Sequence, residues 1–187
     1  MLRKLTADQK YRLGQCLRVN HAGEVGANYI YDGQIRFISK EVVPLIQHMK
    51  EQEQVHLKTF NELLSITDTR PSALLPIWKV GGLILGMSTA IIGKEMAMLC
   101  TEAVETTIGK HYNDQLRELN LLEQEVEEDV KPFIKDLQKT ISKFRDDELE
   151  HKDIAEQNES SKAPLYSYAS QIIKAGCSVA VEIAKRV

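Results

Sequence analysis

The heptapeptide Arg145-Asp146-Asp147-Glu148-Leu149-Glu150-His151 places a carboxylate and an imidazole, Glu148 and His151, three residues apart inside an apolar helical stripe. Ile134, Leu137, Ile141, Phe144, Glu148, His151 and Ala155 follow at steps of 3, 4, 3, 4, 3 and 4, the spacing of one helix face. Two ionisable groups therefore occupy core positions. Burying them unpartnered costs several kcal/mol, roughly, so a metal or a polar network on facing helices must satisfy them.

The pattern occurs a second time. Val42, Ile46, Met49, Glu53, His56, Phe60 and Leu63 step by 4, 3, 4, 3, 4 and 3, so Glu53 and His56 interrupt another inward stripe in the same way. A single Glu-x-x-His is weak evidence, because both residues are common in helices. Two pairs, each in register with its own apolar face, require the coincidence twice.

Working outward, helix is the dominant element expected. The 187 residues are 43% hydrophobic and 27% charged, enough for one domain, 1–187, with a substantial core. A net charge of −3 gives no reason to expect nucleic acid as partner. Cys16, Cys100 and Cys177 are widely separated and odd in number, which argues for a reducing compartment and against a disulfide framework. No secretory signal is evident in residues 1–10, and targeting is left open.

A first helix is expected from Thr6 or Asp8 to about Ser39, with Leu13, Leu17, His21, Glu24, Asn28, Tyr31, Ile35 and Ile38 inward. Glu24 is again a carboxylate in a core register. Gly23 and Gly26 beside it cost about 1 kcal/mol each relative to alanine, which close approach of another backbone or a ligand would offset. A second helix, about 42–66, follows after a connection short enough to make an antiparallel hairpin.

Then the composition changes. Between Pro71 and Gly93 the only charge is Lys79, and the uncharged run up to Lys94 is 14 residues, short of the roughly 20 needed to span a bilayer. With Trp78 beside it, this segment suits either the bilayer interface or the lining of an apolar channel, or else a crossover helix buried in the bundle. A third bundle helix, from Thr89 or Lys94 to about Leu119, points Met98, Thr101, Glu105, Ile108, Tyr112, Leu116 and Leu119 inward, although Glu102 is a rival to Glu105 on spacing alone. The acidic run 123–129 reads as a solvated turn before a fourth helix, about 131–157, with Pro132 in its first turn. Pro164 opens a last helix whose apolar stripe, Leu165, Tyr168, Ile172, Gly176, Val179 and Ile183, is expected to cap the bundle, with a membrane or a partner as other occupants.

The two halves repeat one scheme, a carboxylate on one helix and a Glu-x-x-His on the next. That is the arrangement of di-iron and di-manganese carboxylate four-helix bundles. Four glutamates bring about −4 and two divalent ions about +4, so the loaded cluster is near neutral, whereas the empty one repels itself. Oxygen-rich donors with one imidazole per ion suit iron or manganese better than zinc.

The stretches His21-Ala22-Gly23-Glu24-Val25-Gly26-Ala27-Asn28, Gly93-Lys94-Glu95, Ala103-Val104-Glu105, Gly109-Lys110-His111-Tyr112 and Phe144-Arg145-Asp146-Asp147-Glu148-Leu149-Glu150-His151 resemble the demethoxyubiquinone hydroxylases of coenzyme Q biosynthesis, over about residues 13–184. Asn20 departs from the aspartate expected before the first motif, without touching a ligand position. The resemblance implies an all-α, ferritin-like four-helix bundle with a hydrophobic crossover segment and an additional C-terminal helix. It implies Glu24, Glu53, His56, Glu105, Glu148 and His151 as ligands of two iron ions, with Glu53 and Glu148 bridging, and thereby favours Glu105 over Glu102. The implied activity is an O2-dependent di-iron monooxygenase that hydroxylates the ring of demethoxyubiquinol, with an external electron donor such as NADH. His21, His111, Tyr112 and Asp147 are candidates for supporting or proton-relay groups. The implied partners are a polyprenyl demethoxyquinol, the membrane surface, a lipid-binding protein of the same pathway and further copies of the chain. The implied location is the matrix side of the mitochondrial inner membrane, or the inner face of a bacterial cytoplasmic membrane. The alternative is a ferritin-like iron-oxidising or iron-storage protein.

Overall fold

In the computed structural model, residues 4–187 are described; residues 1–3, part of the expected 1–187 domain and of the segment read for targeting, lie outside them. The described residues form helices α1 (Ala7–Phe37), α2 (Val43–Ile66), α3 (Leu75–Ile92), α4 (Lys94–Glu125), α5 (Lys131–Gln157) and α6 (Tyr166–Ala184), with a 3-10 turn at Ser160–Lys162 and no strand. The fold is all-α and ferritin-like: α1 with α2 and α4 with α5 make two hairpins, α3 crosses between them, and α6 lies on α4.

Local chemistry sets the boundaries. Thr6 caps α1, its hydroxyl accepting from the Gln9 amide at 3.2 Å while the Gln9 side chain accepts from the Thr6 amide at 2.9 Å, a reciprocal box that satisfies two amides. Pro44, Pro76 and Pro132 stand in the first turns of α2, α3 and α5, where no intrahelical N–H is lost. Gly93, at φ 147°, breaks the chain between α3 and α4 in a conformation that essentially only glycine adopts. The acidic run 123–129 forms the α4–α5 turn, where Arg12, Lys4, Lys131 and Lys135 meet it at the surface.

Periodicity locates the core. The residues buried on α5 are the seven of the expected stripe, Ile134 through Ala155. On α2 the stripe is buried from Ile46 to Phe60, closing on Leu64 rather than Leu63. One apolar cluster, built on Leu13, Leu17, Phe60, Leu122, Ile134, Ile141 and Phe144, fills one end of the bundle; another, on Ile46, Met49, Ala97, Met98 and Ala155, fills the other. Between them lies a belt of buried polar residues.

Three expectations are corrected. The close backbone approach expected at Gly23 and Gly26 is found at the Gly26 carbonyl and not at Gly23: α3 lies on α1 so that a β-carbon on Gly82 would stand 2.6 Å from the Gly26 carbonyl oxygen, one on Gly86 2.0 Å from that of Ile30, and one on Gly33 2.4 Å from that of Leu83, whereas β-carbons on Gly23 and Gly26 would themselves meet nothing within 4 Å. The stripe of α6 faces outward rather than into the bundle, with Leu165, Tyr168, Ile172 and Val179 exposed, and Ile173, Ala169, Cys177 and Ala184 packed instead. Nor is α3 buried as a crossover helix: one face packs on α1, and Ile77, Val80, Ile84 and Ile91 on the other are exposed. It is long and apolar enough to cross a membrane by length and composition, but its glycine face is committed to α1.

Candidate metal centre

The Glu-x-x-His pairs of α2 and α5 face each other in the polar belt, and α1 and α4 each add one carboxylate. Glu24, Glu53, His56 and Glu148 bring one donor atom apiece within 4.8 Å of one another, as do Glu53, Glu105, Glu148 and His151. All six residues are buried.

The atoms are shared in a particular way. His56 Nδ1 lies 3.6 Å from Glu24 Oε2, 3.9 Å from Glu53 Oε2 and 3.4 Å from Glu148 Oε1. His151 Nδ1 lies 3.2 Å from Glu53 Oε1 and 3.4 Å from Glu148 Oε2. Glu53 and Glu148 therefore present one oxygen to each imidazole, while Glu24 serves the His56 side and Glu105 the His151 side. Glu24 Oε2, both oxygens of Glu53 and of Glu148, Glu105 Oε2 and the two Nδ1 atoms are buried without a hydrogen-bond partner. Protein interiors rarely leave buried polar atoms unpaired, and here eight converge on one space. Their chemistry, six carboxylate oxygens and two imidazole nitrogens, fits two hard or borderline divalent cations.

Electrostatics without a cation show the strain. Burial, then the charges of Glu148 and Glu24, push the Glu53 carboxyl well above its ordinary value; burial and Glu148 do the same to Glu105. Burial also opposes charge on Glu148, but the His151 and His56 imidazoles facing its oxygens at 3.4 Å prevail and hold it at about 2. On His56, burial is outweighed by the facing carboxylates of Glu148 and Glu24, and its pKa rises to about 11. The metal-free cluster thus keeps protons that a cation must displace.

The outer contacts cross between the halves. Tyr31 donates to Glu105 Oε1 at 2.9 Å, and Tyr112 donates to Glu24 Oε1. His56 Nε2 meets Asp147 Oδ2 at 3.0 Å, and His151 Nε2 meets Gln52 Oε1 at 2.8 Å. Asn28 ties α1 to α2 by donating to the Glu24 and Glu53 carbonyls. Of the expected supporting residues, Tyr112 and Asp147 touch the six, whereas His21 bonds Asn61 and His111 bonds Gln115. Glu102 points away, its oxygens taken by Ser160 and Tyr166, each at 2.5 Å. Tyr31 and Gln52 were not singled out from the sequence, yet a signal existed. Tyr31 follows Glu24 by seven residues as Tyr112 follows Glu105, and Gln52 precedes Glu53 as Asp147 precedes Glu148.

A family model described as ubiquinone biosynthesis protein COQ7 matches residues 11–184. The chain is 47% identical over 171 residues to the human NADPH-dependent 3-demethoxyubiquinone 3-hydroxylase, mitochondrial, covering 91% of this chain and 76% of the relative. It is 44% identical over 182 residues to the 5-demethoxyubiquinone hydroxylase, mitochondrial, of Saccharomyces cerevisiae, covering 94% and 78%. Against the 3-demethoxyubiquinol 3-hydroxylase of Rhodospirillum rubrum the identity is 41% over 173 residues, covering 91% and 76%.

Proposed function

The chain belongs to the COQ7 family of ubiquinone biosynthesis proteins, and from that premise we propose that it hydroxylates the ring of a demethoxyubiquinol with O2 at a di-iron centre held by Glu24, Glu53, His56, Glu105, Glu148 and His151. The eight unpartnered ligand atoms carry this reading. The whole chain acts as one ferritin-like unit. Two ferrous ions, when bound, would supply the O2 chemistry; the residues supply position, charge and exclusion of water.

Glu53 and Glu148, each with an oxygen toward either imidazole, would hold both ions, and Glu24 and Glu105 one each. The phenols of Tyr31 and Tyr112 hold one oxygen of each terminal carboxylate and leave the other free. Asp147 and Gln52 accept from Nε2 of the histidines, which fixes the tautomer that leaves Nδ1 to bind a cation. The apolar clusters above and below keep bulk water from the centre.

The substrate's polyprenyl tail calls for an apolar approach. The exposed faces of α3 and α6 both flank α1 and α4, with Trp78 and Val181 packed in one cluster, and they make a surface suited to lie on a bilayer. The human and yeast relatives carry mitochondrial names, which supports a location in that organelle. The reading here is a peripheral protein of the inner membrane, matrix side, or of the inner face of a bacterial membrane. There it works with a lipid-binding protein of the pathway, or with further copies of itself, and draws electrons from a reduced nicotinamide nucleotide.

The test is anaerobic loading with ferrous iron, then addition of O2, reductant and a short-tailed demethoxyquinol. A product heavier by one oxygen atom, labelled from 18O2, is expected. Iron oxidation with the quinol unchanged would favour iron storage.

A further inference from the structure

The six inner residues repeat almost symmetrically, but the contacts behind the two histidines do not. His56 Nε2 rests against a carboxylate, Asp147 Oδ2 at 3.0 Å; His151 Nε2 rests against a neutral amide oxygen, Gln52 Oε1 at 2.8 Å. The tyrosine–glutamate contacts, by contrast, match on both sides. The rings differ too. His56 stacks on Phe144, centroids 3.9 Å apart and 29° between planes, whereas His151 meets the edge of Tyr31 at 6.3 Å and 85°.

We infer that the two cation positions are inequivalent, the one beside His56 being the tighter because Asp147 backs its imidazole, and the one beside His151 the weaker because Gln52 does. This rests on the di-iron reading and deepens it. A carboxylate that accepts the outer N–H makes the imidazole a stronger donor and adds a negative charge one ring away from the cation; an amide carbonyl fixes the ring without adding charge. Replacing such a supporting group typically changes metal affinity by roughly 10- to 100-fold. Glu53 and Glu148 contribute to both positions and Glu24 and Glu105 to one each, so the inner carboxylates do not favour either side. Asp147 and Gln52 act as positioning residues through the histidines. The protein then fills in order, first beside His56 and then beside His151.

The experiment is an anaerobic titration of the metal-free chain with 57Fe(II), followed by Mössbauer spectroscopy at each addition, with far-UV circular dichroism to check that every variant folds. In the wild type, one quadrupole doublet should hold nearly all the iron up to one equivalent, and a second should grow between one and two. Asp147→Asn, which keeps an acceptor oxygen and removes the charge, should weaken the first step about tenfold so that both doublets grow together. Gln52→Glu should strengthen the second step by a similar factor and likewise erase the order. Both doublets growing together from the first addition in the wild type would overturn the inference while leaving the di-iron reading intact, and so would an unchanged order in folded Asp147→Asn. Failure to bind two ions at all would overturn both.

Discussion

At Glu53, charge and burial are in conflict, and the conflict gives the site a testable signature. Its carboxyl is fully buried beside Glu148 and Glu24, and in the absence of metal it resists ionisation. Glu53→Gln removes that cost, so the melting temperature of the chelated protein should rise, by about 2–4 °C per kcal/mol relieved, while ferrous iron should no longer stabilise it. Quinol hydroxylation should fall more than about a hundredfold, since under the proposed di-iron reading the change removes a carboxylate that would hold both ions, at several kcal/mol of metal-derived stabilisation. Calorimetry with and without iron, alongside product mass, measures all three.

His56 gives the pH dependence. Its folded-state pKa, about 11, lies above the ordinary 6.5, so the folded metal-free chain holds a proton that the unfolded chain has lost between those values. Stability contributed by that proton is complete below pH 6.5 and declines as pH rises toward 11, at no more than about 1.4 kcal/mol per unit. His21 and His111, pushed downward chiefly by burial, have the opposite slope, but theirs ends by pH 6.5. From pH 7 to 9, therefore, the chelated protein should melt at progressively lower temperature. Iron, which displaces the proton, should flatten the curve. A chelated protein whose melting temperature rises over this window would contradict the protonated His56.

Among the helices, the packing of α3 on α1 depends on a missing β-carbon. Gly86→Ala would drive a methyl to 2.0 Å from the Ile30 oxygen and 2.8 Å from its carbonyl carbon, both backbone atoms that cannot swing aside. A loss of about 1–3 kcal/mol is expected in denaturant unfolding. Gly81→Ala, where nothing lies within 4 Å, should be neutral or stabilise by up to about 1 kcal/mol through helix propensity.

These elements also mark the limit of what the chain's text discloses. The α5 stripe was legible to the residue because Glu148 and His151 interrupt an otherwise clean apolar period flanked by charges. The facing of α6 was not, since Ile172-Ile173 and Val179-Ala180-Val181 are apolar on adjacent faces and give periodicity no polar contrast. Glycines announce that some backbone comes close, but which face it touches depends on the partner helix. Likewise the six inner residues follow from register along each helix, while Tyr31 to Glu105 and Gln52 to His151 cross between helices, a relation that spacing along the chain does not contain.

For the whole molecule, the two apolar helix faces lie outside the bundle that holds the cluster. Ile84 on α3 is 59% exposed and Ile172 on α6 72%, and each can be changed without opening the core. The double variant Ile84→Glu with Ile172→Glu should keep its melting temperature and iron content yet lose at least about tenfold in binding to phospholipid vesicles by cosedimentation, since it removes apolar area and adds charges disfavoured in the interface. Retained vesicle binding would move the membrane contact elsewhere. With the long-tailed quinol in vesicles, turnover should fall in parallel; with a short-tailed quinol in solution, it should hold.

Two cations neutralising four buried glutamates are the centre of the account, and anomalous diffraction at the iron edge from crystals of the ferrous-loaded protein examines them most directly. Two peaks are expected about 3.5–4 Å apart, both contacted by Glu53 and Glu148, one beside His56 Nδ1 and the other beside His151 Nδ1. A fully loaded crystal with no anomalous density among these six residues, or with iron only at the surface, would contradict it.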